Sequence, residues 1–176
     1  KESLLRALAL APELERTHYL LGVTYEHLEE WDAAIDEFRY LSLNHPEHAS
    51  YQLILARLLE KTHAYDEAQA LYRRIVETDN ADPAILARYG KVLTKCHQWA
   101  EAGIAYERAL DINTEYHKAH YALFLLYLRK GMVRSALREF IHSGMYAHSS
   151  LVVFILSTVF IAVVILALKV FFWHLN

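Results

Sequence analysis

Eleven histidines and a single cysteine are the side chains of this chain best suited to ligate a metal or act as a nucleophile. His45 and His48 stand three apart, as do His117 and His120, a spacing that within a helix puts two imidazoles on one face, although His45 flanks a proline turn. Two ligands do not close a metal site, and no Cys or carboxylate cluster completes either pair. A thiol attacks as the thiolate, and Cys96 falls at the end of a helical run with no activating partner in the pattern. Glycines 22, 90, 103, 131 and 144 are scattered rather than gathered into a phosphate loop, and no His-Glu-x-x-His motif occurs. The expectation is no enzyme, no metal and no cofactor. What remains is charge. Arg57 and Lys61 are four apart, and so are Lys91 and Lys95, so each pair projects from one side of a helix.

The elements that carry these pairs announce themselves between Pro83 and Glu115. Leu86, Tyr89, Gly90 and Leu93 follow the i, i+3, i+4, i+7 rule of a buried helical face, and Trp99, Ala102, Tyr106 and Ala109 do the same after a polar break at 95–98. Small residues alternate with aromatics, as two closely packed antiparallel helices require. The pattern recurs every 34 residues: Ala34, Ala68, Ala102 and Ala136; Phe38, Tyr72, Tyr106 and Phe140; Trp31, Tyr65 and Trp99, with Val133 in the last copy.

This large-and-small alternation in a 34-residue unit resembles the tetratricopeptide repeat family. The resemblance implies an all-α, right-handed helical solenoid. Its units fall at 15–48, 49–82, 83–116 and a divergent, terminal 117–148, with 1–14 as the second helix of a truncated preceding repeat. In the first unit, helices are expected near 15–28 and 32–44. Asp32 and Asp66 are expected as N-caps of second helices, His45-Pro46 as the stop of one helix and Pro83 as the start of another. In this family partners lie in the groove lined by the first helix of each repeat. Projected onto this chain, that groove exposes Tyr19, Glu60 and Tyr121 together with a basic strip of Arg57, Lys61, Lys91, Lys95 and Arg129. Four like charges on adjacent helices would repel one another, and a partner with an acidic segment would relieve them. Val23 and Ile54 occupy positions where the chaperone-binding subgroup carries asparagines, so chaperone-tail binding is not implied.

The last stretch differs in kind. Leu151 to Trp173 is an apolar run whose only charge is Lys169. At ~1.5 Å per residue it reaches about 34 Å, enough for the ~30 Å hydrocarbon core. A transmembrane helix is therefore expected over 150–174, with Leu151 and Phe160 in the lipid, Lys169 snorkelling and Trp173 at the interface. Arg129, Lys130, Arg134 and Arg138 precede the run, which places the repeats on the cytoplasmic side. Outside Lys169 the chain holds 17 basic against 21 acidic side chains, a balance that argues against nucleic acid as a partner. The sequence thus predicts a single-pass, tail-anchor-like protein that binds membrane lipid and a protein partner or membrane complex as a scaffold or assembly factor. The regular repeats favour a bacterial inner membrane over the mitochondrial outer membrane. Alternatives are a tail-anchored receptor or adaptor for protein import or organelle division, or the membrane module of an enzyme whose catalytic domain lies upstream.

Overall fold

The computed structural model describes residues 1–3, 6, 14–77 and 82–144. Among them the regular structure is helical, with no strand. In chain order the helices are α1 (Glu15–His27), α2 (Trp31–Asn44), α3 (Ala49–Lys61), α4 (Tyr65–Val76), α5 (Pro83–Lys95), α6 (Trp99–Ile112), α7 (His117–Arg129) and α8 (Val133–His142). The chain divides into two compact units, Lys1–Thr114 with α1 to α6, and Glu115–Asn176 with α7 and α8. In the first unit α1 packs on α2, α3 on α4 and α5 on α6, while α2 also meets α3 and α4 meets α5. It is an all-α stack of three helical hairpins, the architecture expected of tetratricopeptide repeats. α7 and α8 pair as a further hairpin in the second unit.

Close approach of the paired helices explains the alternation of small and large residues. A Cβ on Gly22 would come within 2.7 Å of the Phe38 ring, and one on Gly90 within 2.8 Å of Tyr106. Either is nearer than a real Cβ tolerates without the ring shifting, so both positions favour the smallest residues, as Ala56 does at the equivalent place in the second hairpin. The aromatics they admit are buried, as are Ala34, Ala68, Ala102 and Ala136. In the last hairpin Phe124 replaces the small residue, and its ring lies 5.2 Å from Phe140 at 51°.

The turns inside the hairpins repeat as faithfully as the core. Glu29, His63, His97 and Gly131, 34 residues apart, take positive φ of 59°, 65°, 61° and 70°. The next residue donates its N–H back to the first helix, Glu30 to Tyr25, Ala64 to Leu59, Gln98 to Leu93 and Met132 to Tyr127, each at 2.9 Å. This is the Schellman closure, which satisfies carbonyls that a helix C-terminus leaves unpaired. It also corrects the capping expectation. α2 and α4 begin at Trp31 and Tyr65, so their N-caps are Glu30 and Ala64, neither with a side-chain cap bond. The turn is so short that one residue both closes the first helix and caps the second, two positions ahead of the aspartate. Asp32 and Asp66 sit instead in the first helical turn, where a carboxylate favours the helix dipole. α2 does stop at Asn44, with His45 as its C-cap. Asp82 caps α5 by accepting from the Ala84 N–H at 2.8 Å, with Pro83 at the first helical position as expected.

Several histidines serve this scaffold. His18 and His120 are buried equivalents three repeats apart, bonded to Glu37 at 2.6 Å and Glu139 at 2.8 Å. His18 stacks on Tyr40 and His120 on His142. His63 and His97 combine a left-handed turn position with a ring contact to Tyr65 and Trp99. Most of the predicted 1–14 helix and the whole predicted span over 150–174, including Leu151, Phe160, Lys169 and Trp173, lie outside the described residues. Among the described residues no helix is long and apolar enough to cross a membrane.

Candidate partner-binding cleft

Helices α1, α3 and α5, the first of each hairpin in the first unit, line a cleft of about 450 Å³. α3 contributes Arg57, Glu60 and Lys61; α5 contributes Arg88, Lys91 and Lys95; α1 contributes Glu26. Each pair four apart emerges on the cleft side because i and i+4 share a helical face. Four of the five predicted cations therefore meet in one place, and a fifth cation, Arg88, joins them. Arg88 stands three residues before Lys91 on α5, an i, i+3 neighbour that the i, i+4 pairs pass over.

Glu60 overturns part of the electrostatic expectation. It was expected in the open groove, yet it is 7% exposed. Lys91 donates Nζ to its Oε1 at 2.6 Å, and Arg88 donates Nη1 to its Oε2 at 3.1 Å. The Tyr72 hydroxyl donates to Oε2 at 3.2 Å from α4. Burial alone would raise the Glu60 carboxyl, but Lys91 and Arg88 outweigh it and hold the group below the usual carboxylate range. The same burial, with Glu60 close by, pushes the Tyr72 hydroxyl up. Lys61 is occupied as well, its Nζ 3.6 Å from the centre of the Trp31 ring on α2. The cleft is thus no set of four repelling cations. Lys91 and Arg88 share one desolvated acid, Lys61 rests on an indole, and the exposed Arg57 and Lys95 make no ion pair among the described residues.

Five cations against two carboxylates, Glu26 and Glu60, still leave the lining positive within an acidic chain. Such a concavity attracts carboxylates and speeds their arrival at low ionic strength. Tyr19 does not line the cleft: it packs edge-on against Phe38 at 5.9 Å and lies 6.1 Å from Tyr51. Tyr121 and Arg129 belong to α7 in the second unit, where Tyr121 lies 6.0 Å from Phe124.

No group of three or more His, Cys, Asp or Glu among the described residues is placed to hold a metal. Burial first, and then the Asp66 carboxylate 3.9 Å away, push the Cys96 thiol up, away from the thiolate a nucleophile needs.

Among known protein families, the tetratricopeptide repeat matches residues 49–92. No curated protein matches the sequence. Among solved structures, MamA is similar at 20% identity and a TM-score of 0.74, over 81% of this chain and 83% of that one. A structure of MamA from residue 41 onward, from Desulfovibrio magneticus RS-1, gives 20% identity and 0.70, over 77% of each chain. YrrB, described as a TPR protein with an unusual peptide-binding site, gives 16% identity and 0.66, over 81% of this chain and 73% of its own. At these identities the likeness is one of fold.

Proposed function

We propose, from the premise that the chain is a tetratricopeptide-repeat protein, that it is a non-catalytic scaffold whose α1–α3–α5 cleft holds an acidic segment of a partner protein. The observation that carries this reading is the convergence of Arg57, Lys61, Arg88, Lys91 and Lys95 on one concavity. YrrB, with the same fold, is described by its peptide-binding site, which supports a peptide as the kind of ligand. The apolar run Leu151–Trp173 anchors the scaffold as a single-pass span, and the excess of arginine and lysine before it favours the cytoplasmic side of a bacterial inner membrane. The partner is then a membrane complex or a protein held at that surface.

The experiment uses a fluorescent peptide rich in Asp and Glu, and its Asn and Gln counterpart, titrated with the full chain in mild detergent. The acidic peptide binds, binds more weakly as salt rises, and loses at least ten-fold in affinity to Arg57→Glu with Lys95→Glu. Those two positions are chosen because neither supports Glu60, so the fold survives; circular dichroism checks that it does. Equal binding of both peptides, or an unchanged affinity in the double variant, overturns the reading.

A further inference from the structure

α8 buries one face and leaves an apolar one open. Ala136, Glu139 and Phe140 are buried. Val133, Leu137 and Ile141, four apart along the helix, are 67%, 50% and 53% exposed, and Met132 extends the stripe at 47%. The position of Leu137 is partly exposed as Gly103 in the third hairpin. The residues equivalent to Leu137 in the first two hairpins, Ile35 and Gln69, are both buried. Beside the stripe, one position on, run Arg134 and Arg138, both exposed. Arg138 reaches Glu139 at 3.2 Å and keeps 66% of its side chain exposed.

Charge is segregated along the chain in the same place. Residues 116–150 carry Lys118, Arg129, Lys130, Arg134 and Arg138 against one acid, Glu139, which is buried, whereas residues 1–115 hold 12 basic and 20 acidic side chains. A covering surface for α8 must therefore be apolar in part and anionic in part. A second copy of this hairpin would bring arginine against arginine. The apolar run 151–173 holds no acid and would leave Arg134, which lies beside the stripe, unanswered. A bilayer with anionic headgroups supplies both properties at the right depth. Only eight residues, nine Cα steps, separate His142 from Leu151, at most about 32 Å of chain at ~3.6 Å per step, so α8 stays near the bilayer surface.

We infer that the open face of α8 lies in the headgroup layer of an anionic membrane, with Val133, Leu137 and Ile141 dipping toward the acyl chains and Arg134 and Arg138 on lipid phosphates. This rests on the reading of 151–173 as a membrane span. A basic amphipathic helix with an apolar stripe binds interfaces in this way, and each cation near an anionic surface favours contact by about five-fold.

The test places an environment-sensitive fluorophore on the full chain at Leu137→Cys in a Cys96→Ser background, with Arg74→Cys on exposed α4 as the reference site. Each is reconstituted into vesicles of phosphatidylcholine alone or with one quarter phosphatidylglycerol. Lipids carrying a shallow spin label are the quencher. At 137 the fluorophore is quenched at least two-fold more than at 74, only with phosphatidylglycerol, and Arg134→Glu with Arg138→Glu returns it to the reference level. Equal quenching at both sites in chains that resist alkaline carbonate overturns the α8 contact and leaves the span standing. Chains that carbonate strips from the vesicles overturn the span and this inference together. A blue-shifted fluorophore at 137 that lipid quenchers do not reach shows protein there, a second copy or the chain's own terminal segment, and also overturns it.

Discussion

Replacing Glu60 by Gln removes one negative charge from the floor of the cleft while keeping the shape of the side chain. The wild-type carboxylate accepts from Lys91, Arg88 and Tyr72. Bonds to a charged group are worth about 1.5–3 kcal/mol each. The Lys91 and Arg88 side chains are 60% and 44% exposed, so screening by water brings their share toward the ~1 kcal/mol of a surface pair. Gln still accepts from Tyr72, so the buried hydroxyl keeps its partner. The net expectation is a loss of about 1–2 kcal/mol at pH 7, read from urea unfolding of the full chain in mild detergent by far-ultraviolet circular dichroism. The pH dependence supplies the sign. Because the folded carboxyl is held below its ordinary range, its stabilising contribution is complete above the unfolded value of ~4.3 and disappears as pH falls through the lower folded value. The gap between wild type and Glu60→Gln therefore closes on acidification. Binding moves the other way, since the lining loses an acid and an anionic peptide binds more tightly. A gap that stays constant down to pH 2, a destabilisation under about 0.3 kcal/mol, or a weaker affinity for the acidic peptide would refute the reasoning.

His97→Gly relieves a left-handed backbone that costs a residue with a Cβ ~1–2 kcal/mol, against ~0.5–1 kcal/mol of added chain flexibility, so it is expected to leave stability unchanged or raise it by up to about 1.5 kcal/mol in the same unfolding assay. Gly22→Leu forces a side chain into the Phe38 ring and is expected to cost at least ~1–3 kcal/mol; an unchanged midpoint would contradict the helix packing. Ala102→Phe, at a fully buried small-residue position, is expected to cost a similar amount, with loss of helical signal at a lower temperature as the readout.

Period and side-chain size made the core legible. Ala34, Ala68 and Ala102 recur because each takes a position closed to larger groups, and Gly22 with Phe38 and Gly90 with Tyr106 form the small-against-large contacts that the alternation implies. The turns were hidden, because glycine, the usual marker of a left-handed residue, appears there only at 131, while Glu29, His63 and His97 adopt that backbone under compulsion of the Schellman closure. The aspartates mislead for a related reason: the closure fixes the cap position on backbone geometry, two residues ahead of Asp32 and Asp66. In the cleft, spacing along α3 and α5 sufficed to bring Arg57, Lys61, Lys91 and Lys95 together. It could not show that Glu60 on one hairpin would be desolvated beneath Lys91 and Arg88 of the next, because that depends on how two helices 31 residues apart in sequence are pressed together.

Glu60 also ties recognition to mechanics. It belongs to the second hairpin, its strongest partners belong to the third, and both partners face the cleft. A ligand carboxylate that drew Lys91 away would leave a buried charge half-compensated and weaken the joint between the two hairpins. Linkage makes the effect reciprocal: a pull that opened that joint would hand Lys91 and Arg88 to the ligand and tighten its grip.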